Sequence, residues 1–225
     1  MGRAKINDLT EFFLFQFGPA EGVAFQRARS NFIQSMAAYS VLCYILQIKD
    51  RHNGNIMIDG EGRITHIDFG FLFDIGPGGI KFEPNSFKLT HEMITLMGGK
   101  SSQGYRQFRE LTVKAFLACR PYVEDVLSTC SLMMPTQLPS FKGEGTMIRL
   151  RDRFKPDLTE REAARYMIGV IENACENSMS IVYDQFQVSL TPRQHTSCIN
   201  LIRCIFDARL FLFQQYYQNR IPYAS

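Results

Sequence analysis

The run Asp50-Arg51-His52-Asn53-Gly54-Asn55, with Asp68-Phe69-Gly70 starting thirteen residues after Asn55, gathers two acids, a histidine and an amide within nineteen residues. Transfer of a phosphoryl group from a nucleotide needs such a set. One group must handle the proton of the acceptor hydroxyl, a task suited to an imidazole or a carboxylate. An asparagine and an aspartate can hold Mg²⁺ on the phosphates, where the metal neutralises charge as the γ-phosphoryl moves. Asp-Phe-Gly alone is a weak signal; joined to the 50–55 run at this spacing it is a strong one.

The elements that must position these residues are legible nearby. Ile56-Met57-Ile58-Asp59 and Arg63-Ile64-Thr65-His66-Ile67 are β-prone, and Asp59-Gly60-Glu61-Gly62 between them is a turn signal, so the pair reads as a hairpin. Asn55 begins its first strand and Asp68 leaves its second, which lets both side chains converge on one metal. Upstream, Ile33, Met36, Ala37, Val41, Tyr44, Ile45 and Ile48 recur at helical spacing and predict one helix over 24–48 that delivers the chain into the 50–55 loop. Residues 71–88, with Gly76-Pro77-Gly78-Gly79 and Pro84, are too long and irregular for a connector and read as a functional loop. Beyond it, Thr90 caps a short helix closed by Gly98-Gly99. Residues 105–120 and 122–133 are helical in pattern, with Pro121 at a natural start. Residues 134–141 read as a linker, and Thr159 with Glu162 forms a capping box opening a helix to Tyr183. The fold expected is mostly α with one small β-hairpin.

Composition narrows the class. The 225 residues suffice for one large domain, and a net charge of +3 gives no argument for nucleic acid as a partner. The six cysteines show no Cys-x-x-Cys pair and sit mostly in apolar helical patterns, so reduced core thiols in the cytosol are expected. The start shows no secretory leader, and Ile6 stands where a myristoylation site wants Ser or Thr. The longest apolar run, 37–48, is too short to cross a bilayer.

Protein kinases carry His-Arg-Asp in the corresponding loop; here the order is Asp-Arg-His. That order, with Asn-Gly-Asn-Ile-Met after it and His66-Ile67-Asp68-Phe69-Gly70 beyond, resembles the phosphatidylinositol 3-/4-kinase superfamily. Further runs are similar to its type III alpha phosphatidylinositol 4-kinases: 32–40, Pro77-Gly78-Gly79, Lys88-Leu89-Thr90, Met97-Gly98-Gly99-Lys100, 159–164 and Tyr216-Tyr217-Gln218-Asn219. The resemblance implies residues 1–187 as the C-lobe of a kinase-like α+β fold, with the N-lobe and its ATP-gripping glycine-rich loop and lysine absent from these residues.

The resemblance also implies roles. His52 is the favoured base, with Asp50 orienting or assisting. Arg51 ties the loop together more than it touches substrate. Asn55 and Asp68 bind Mg²⁺. Met57 and Ile67 line the floor of the adenine pocket of ATP, against the alternative of ordinary core packing. His66 reads as a satisfied structural histidine. Residues 71–88 correspond to the loop that selects the lipid headgroup. It carries only Lys81 and Lys88 against Asp74 and Glu83, which fits an acceptor with one phosphodiester charge, phosphatidylinositol in a membrane. Scaffold or regulatory proteins and a peripheral place at the plasma membrane follow from the resemblance alone. The basic run Arg149, Arg151, Arg153 and Lys155 reads as a solvated helix face partly neutralised by Asp152, with an anionic-lipid patch as the alternative.

Residues 188–215 depart from the family pattern, and 216–225 resume it. Val188-Ser189 can be encoded by GTA-AGT and 210–215 by a pyrimidine tract ending in CAG, so the segment is either a translated intron or an inserted helix. The expected function is ATP-dependent phosphorylation of the inositol 4-hydroxyl of phosphatidylinositol. The alternatives are a related protein Ser/Thr kinase and a catalytically incomplete fragment that only binds partners.

Overall fold

The computed structural model describes residues 8–73, 86–136, 139–141 and 143–176. Helix α1 (Leu9–Phe17) opens where the Asp8 carboxylate accepts the Glu11 N–H at 2.8 Å, and closes at Gly18. Helix α2 (Val23–Leu46) is the spine. Its first half buries a stripe through Phe25, Ala28, Phe32 and Ile33. From Ser40 to Leu46 every residue is buried, the pattern of a helix surrounded on all sides. Helix α1, the later helices α4 (Gln103–Cys119) and α6 (Glu144–Arg153), and the hairpin's second strand all pack on it. Phe13 of α1 meets Phe32 edge-on at 5.8 Å, and Tyr44 meets Phe116 of α4 in the same way at 5.6 Å. The Tyr44 hydroxyl donates to the Arg153 carbonyl at 2.9 Å, which gives a buried phenol its partner.

The expected helix over 24–48 stops two residues early. Gln47 turns left-handed (φ +48°) and its N–H returns to the Cys43 carbonyl. Ile48, the last residue of the apolar stripe, is therefore buried outside the helix.

Strands β1 (Ile56–Ile58) and β2 (Ile64–His66) form the expected antiparallel hairpin, with Ile56 opposite His66 and Ile58 opposite Ile64. A two-stranded hairpin is marginal alone; here α2 supports it. Ser35 Oγ accepts the Ile64 N–H at 3.0 Å, and Asn31 Nδ2 donates to the Glu61 carbonyl at 2.8 Å. Gly62 sits at φ +84° so close to Ala28 that a Cβ there would lie 2.8 Å from it. Only glycine fits both the backbone and the gap.

The remaining elements are α3 (His91–Leu96), α4 (Gln103–Cys119), α5 (Val123–Ser131), α6 (Glu144–Arg153) and α7 (Glu160–Glu176). Thr90 and Ser102 cap α3 and α4 as N-cap hydroxyls do, accepting from Met93 and Tyr105 N–H at 3.3 and 3.0 Å. The Thr159–Glu162 capping box is formed. Pro121 lies in a 3₁₀ turn (Arg120–Tyr122) before α5 and not in its first turn. The expected linker over 134–141 holds a 3₁₀ turn (Met134–Thr136) and then buries Ser140 and Phe141, the latter edge-on to Phe73 at 5.2 Å. In the basic run, Arg151 pairs with Glu124 of α5, a partner from another helix where the sequence suggested Asp152. The described cysteines, Cys43, Cys119, Cys130 and Cys175, are free thiols. Among the described residues no helix is long and apolar enough to cross a membrane. The end of the expected helix to Tyr183, the segment 188–215 and the tail 216–225 lie outside the described residues.

Candidate active site

Two stretches of chain run side by side where α2 ends and the hairpin exits. The Phe73 N–H reaches the Leu46 carbonyl and the Lys49 N–H the Phe71 carbonyl, both at 3.0 Å. Arg51, buried at 3% exposure, closes this seam. Its Nε donates to the Lys49 carbonyl at 2.9 Å, Nη1 to the Ile67 carbonyl at 2.8 Å and Nη2 to the Asp68 carbonyl. The guanidinium also lies over the Phe69 ring, 5.5 Å from its centroid. A planar donor fork committed to three carbonyls is a brace, with its donors turned inward.

The seam fixes the two aspartates in unusual backbone. Asp50 (φ +62°) and Asp68 (φ +57°) are both left-handed, a region that Asp tolerates better than most residues. Strain of this kind persists only where the surroundings hold it, and it concentrates at functional sites.

Between Asp50 and the hairpin lies a single 3₁₀ turn (Asn53–Asn55). His52 caps it: its Nδ1 accepts the Gly54 N–H at 3.0 Å, and its Nε2 lies 4.0 Å from Asp50 Oδ2. A neutral ring that accepts at Nδ1 carries its proton on Nε2, facing that carboxylate. A side chain on Gly54 would meet the imidazole at 3.0 Å and push the ring from this position. Asn55 donates through Nδ2 to the Asp50 carbonyl at 2.9 Å, and its own carbonyl accepts the Ile67 N–H at 3.0 Å. The hairpin ladder thus continues one pair past the strands and sets Asn55 beside the residue before Asp68.

These contacts bring Asp50, His52, Asn55 and Asp68 to one end of the hairpin. The donor set left for a cation is the amide oxygen of Asn55 and the carboxylate of Asp68, whose Oδ1 takes only a long 3.3 Å bond from the Gly70 N–H. Two hard oxygens of this kind suit Mg²⁺ when phosphates supply further ligands. Among the described residues no group of three or more His, Cys, Asp and Glu could form an all-protein cage.

Met57 and Ile67 lie on the hairpin face turned away from α2. They are 55% and 38% exposed, so neither is buried in the core of the described residues. His66 faces the other way. Its ring stacks on Tyr39 at 4.3 Å and its Nδ1 lies 3.7 Å from Cys43 Sγ. Burial, reinforced by the charges of Arg51 and Lys88, pushes this imidazole down to about 3 and keeps it neutral.

The sequence places Lys88 in the headgroup-selecting loop, and its contact with the 53–55 turn is the unexpected part. Lys88 is buried, and its ammonium donates to Asn53 Oδ1 at 2.8 Å. The available signal was a lone cation between two large apolar residues, Phe87 and Leu89, which are also buried. Lys81 and most of the 71–88 loop lie outside the described residues.

Residues 3–143 match the phosphatidylinositol 3- and 4-kinase family profile. Phosphatidylinositol 4-kinase stt4 of Schizosaccharomyces pombe is 54% identical over 188 residues, and STT4 of Saccharomyces cerevisiae is 50% identical over 188 residues. Each match covers 83% of this chain and 10% of the yeast protein. Phosphatidylinositol 4-kinase alpha 2 of Arabidopsis thaliana is 41% identical over 191 residues, covering 83% of this chain and 36% of that one. The chain therefore spans well under half the length of these relatives. Its Asp50-to-Gly70 arrangement lies within the matched region, and by that match the chain belongs to the phosphatidylinositol 3- and 4-kinase family.

Proposed function

We propose that this chain carries the metal-holding and acceptor-activating part of a lipid kinase that moves the γ-phosphate of ATP to the 4-hydroxyl of phosphatidylinositol. The observation that supports this most is the convergence of Asp50, His52, Asn55 and Asp68 at one hairpin end, beneath an uncovered apolar face. The relatives' names supply the lipid and the position of the hydroxyl.

Asn55 Oδ1 and the Asp68 carboxylate would hold Mg²⁺ against the nucleotide phosphates. When bound, the cation neutralises charge on the transferring group. Met57 and Ile67 offer apolar surface for the adenine ring. Asp50 and His52 handle the acceptor proton. The resemblance favoured His52 as base. The Gly54 N–H occupies its Nδ1, however, and leaves an N–H at Nε2. The carboxylate of Asp50, 4.0 Å from that Nε2, is then the group that takes the inositol proton, with His52 beside it. Arg51 braces the loop on which both sit. The few cations of the 71–88 loop, Lys81 and Lys88 against Asp74 and Glu83, fit a headgroup with a single phosphodiester charge. Action at a membrane surface, with scaffold proteins as partners, belongs to the same reading.

The test is label transfer by the full natural protein that carries this segment. It is given γ-labelled ATP, Mg²⁺ and phosphatidylinositol vesicles, and the product headgroup is separated by position. Label at the inositol 4-position that Asp68→Ala abolishes is the expected result. Asp68-dependent label on protein, with none on lipid, would overturn the lipid assignment.

A further inference from the structure

We propose that Lys88 is a positioning residue of the active site, acting through Asn53 on the 3₁₀ turn that carries His52 and Asn55. The inference rests on the phosphoryl-transfer reading above and gives Lys88 a task other than meeting the lipid headgroup.

The turn is poorly held by its own bonds. It consists of three residues, one of them a glycine with no side chain to pack. Its internal ties are the Asn55 N–H to the His52 carbonyl at 3.0 Å, the Ile56 N–H to the Asn53 carbonyl, and the Gly54 N–H to the His52 ring. All of these lie within the turn or its immediate neighbours, so they shape it without fixing where it sits. Asn55 Nδ2 anchors the far side to the Asp50 carbonyl. The near side projects into solvent, where Asn53 is exposed, and there the Lys88 ammonium grips Asn53 Oδ1 at 2.8 Å.

Lys88 is well placed to act as a fixed point. Lysine normally keeps its head in water on a flexible stem. Here Lys88 is 7% exposed between Phe87 and Leu89, each 4% exposed, so the segment is held in the interior and the ammonium is withdrawn from water. The following residue, Thr90, caps α3, which gives the backbone a rigid continuation. An ammonium removed from water needs strong acceptors, and the Asn53 amide oxygen is one. Replacing it would leave a buried charge short of an acceptor and a turn without its outer tie.

Positions held within about 0.5 Å matter in such sites, and misplacement of about 1 Å can lower a rate by about 100-fold. Lys88→Met keeps the stem and removes the donor. Asn53→Ala removes the acceptor at an exposed position, where loss of folding is not a concern. Both are compared, singly and together, in the full protein. Two readouts are taken: the rate of transfer to phosphatidylinositol, and the affinity for Mn²⁺ with a non-hydrolysable ATP analogue, read from the free-Mn²⁺ resonance signal.

The expected result has three parts. Each single variant lowers kcat by about 10-fold. Each weakens Mn²⁺ binding several-fold, with the KM for lipid unchanged. The double variant is no worse than either single one, because both break the same link. A raised lipid KM with unchanged kcat and metal affinity would instead make Lys88 a headgroup contact and overturn the proposal. Additive losses, or no loss, would overturn it as well. The metal readout needs no lipid. A wild-type protein that holds Mn²⁺ with the analogue but labels no phosphatidylinositol therefore defeats the lipid assignment, while Lys88 is still judged on metal affinity.

Discussion

The two faces of one small hairpin have opposite fates. On the face toward α2, Ile64 and His66 are buried and Ile56 and Ile58 half-buried, and the Ile64 N–H bonds Ser35. On the other face Met57, Thr65 and Ile67 stand uncovered, while Asn55 and Asp68 lie at the open end of the hairpin, outside both strands. Side chains alternate along a strand, so neighbouring residues answer to different constraints. One set docks the hairpin on the spine of the molecule. The other is left for a ligand. Substitutions four residues apart or fewer must then separate cleanly into losses of folding and losses of chemistry.

The strongest test lies at the open end. Asp68→Ala should lower phosphoryl transfer by about 1,000-fold, the scale set by removing one preorganised electrostatic group. The melting midpoint should hardly move, because Asp68 is half-buried with one long hydrogen bond. Retention of more than about a tenth of the rate would remove the open end from the chemistry. The matching cut on the docked face is Ile64→Ala. Ile64 is 3% exposed, and truncation there should cost about 2–4 kcal/mol of stability. The fraction that stays folded should keep its KM for ATP. Urea unfolding gives the first quantity and initial rates give the second.

The docked face was the more legible of the two from sequence. Strand alternation and the Asp59-to-Gly62 turn set the hairpin register, and the apolar spacing in 24–48 set the helix beneath it. Both depend on local pattern, which a single chain displays directly. The site was legible in its residue types and less so in its contacts. Nothing local says that Arg51 donates inward to three carbonyls, because two of those carbonyls lie sixteen and seventeen residues away. The Lys88–Asn53 link spans 35 residues for the same reason. The His52 orientation depends on a backbone N–H two residues on, a detail set by turn geometry and not by residue identity. The early end of α2 likewise follows from Gln47 turning left-handed, which the apolar stripe could not foretell.

The docked face also carries a pH signature. The imidazole of His66 is pushed down to about 3 in the fold, chiefly by burial, and returns to about 6.5 when the chain unfolds. Between those values the unfolded chain binds a proton that the folded chain does not. Stability is therefore full above about pH 6.5 and falls as pH drops through that window, by up to about 1.4 kcal/mol per pH unit. His66→Phe keeps a ring on Tyr39 and removes the titration. The difference between wild type and variant in unfolding free energy should change by about 2 kcal/mol from pH 7 to pH 5. Parallel pH profiles for the two proteins would show that His66 is not held neutral. The open face has no such group among its exposed residues Met57, Thr65 and Ile67, so substitutions there should leave the profile untouched.

The smallest effect divides the two faces most sharply. Met57 is 55% exposed, so Met57→Ala removes little area buried by folding and should change stability by less than about 0.5 kcal/mol. Its neighbours Ile56 and Ile58 point the other way, toward α2, so the truncation opens no cavity in the core. If adenine covers Met57, the same truncation removes apolar contact from the bound state alone. Loss of about 1 kcal/mol of that contact raises the KM for ATP by about 5-fold and leaves the KM for lipid unchanged. Ile67→Ala, on the same face and 38% exposed, should act alike. A melting midpoint several degrees lower with unchanged ATP KM would put Met57 with the docked residues and erase the distinction between the faces. A raised ATP KM with unchanged melting would assign the uncovered side of the hairpin to the nucleotide, one residue away from side chains that serve only the fold.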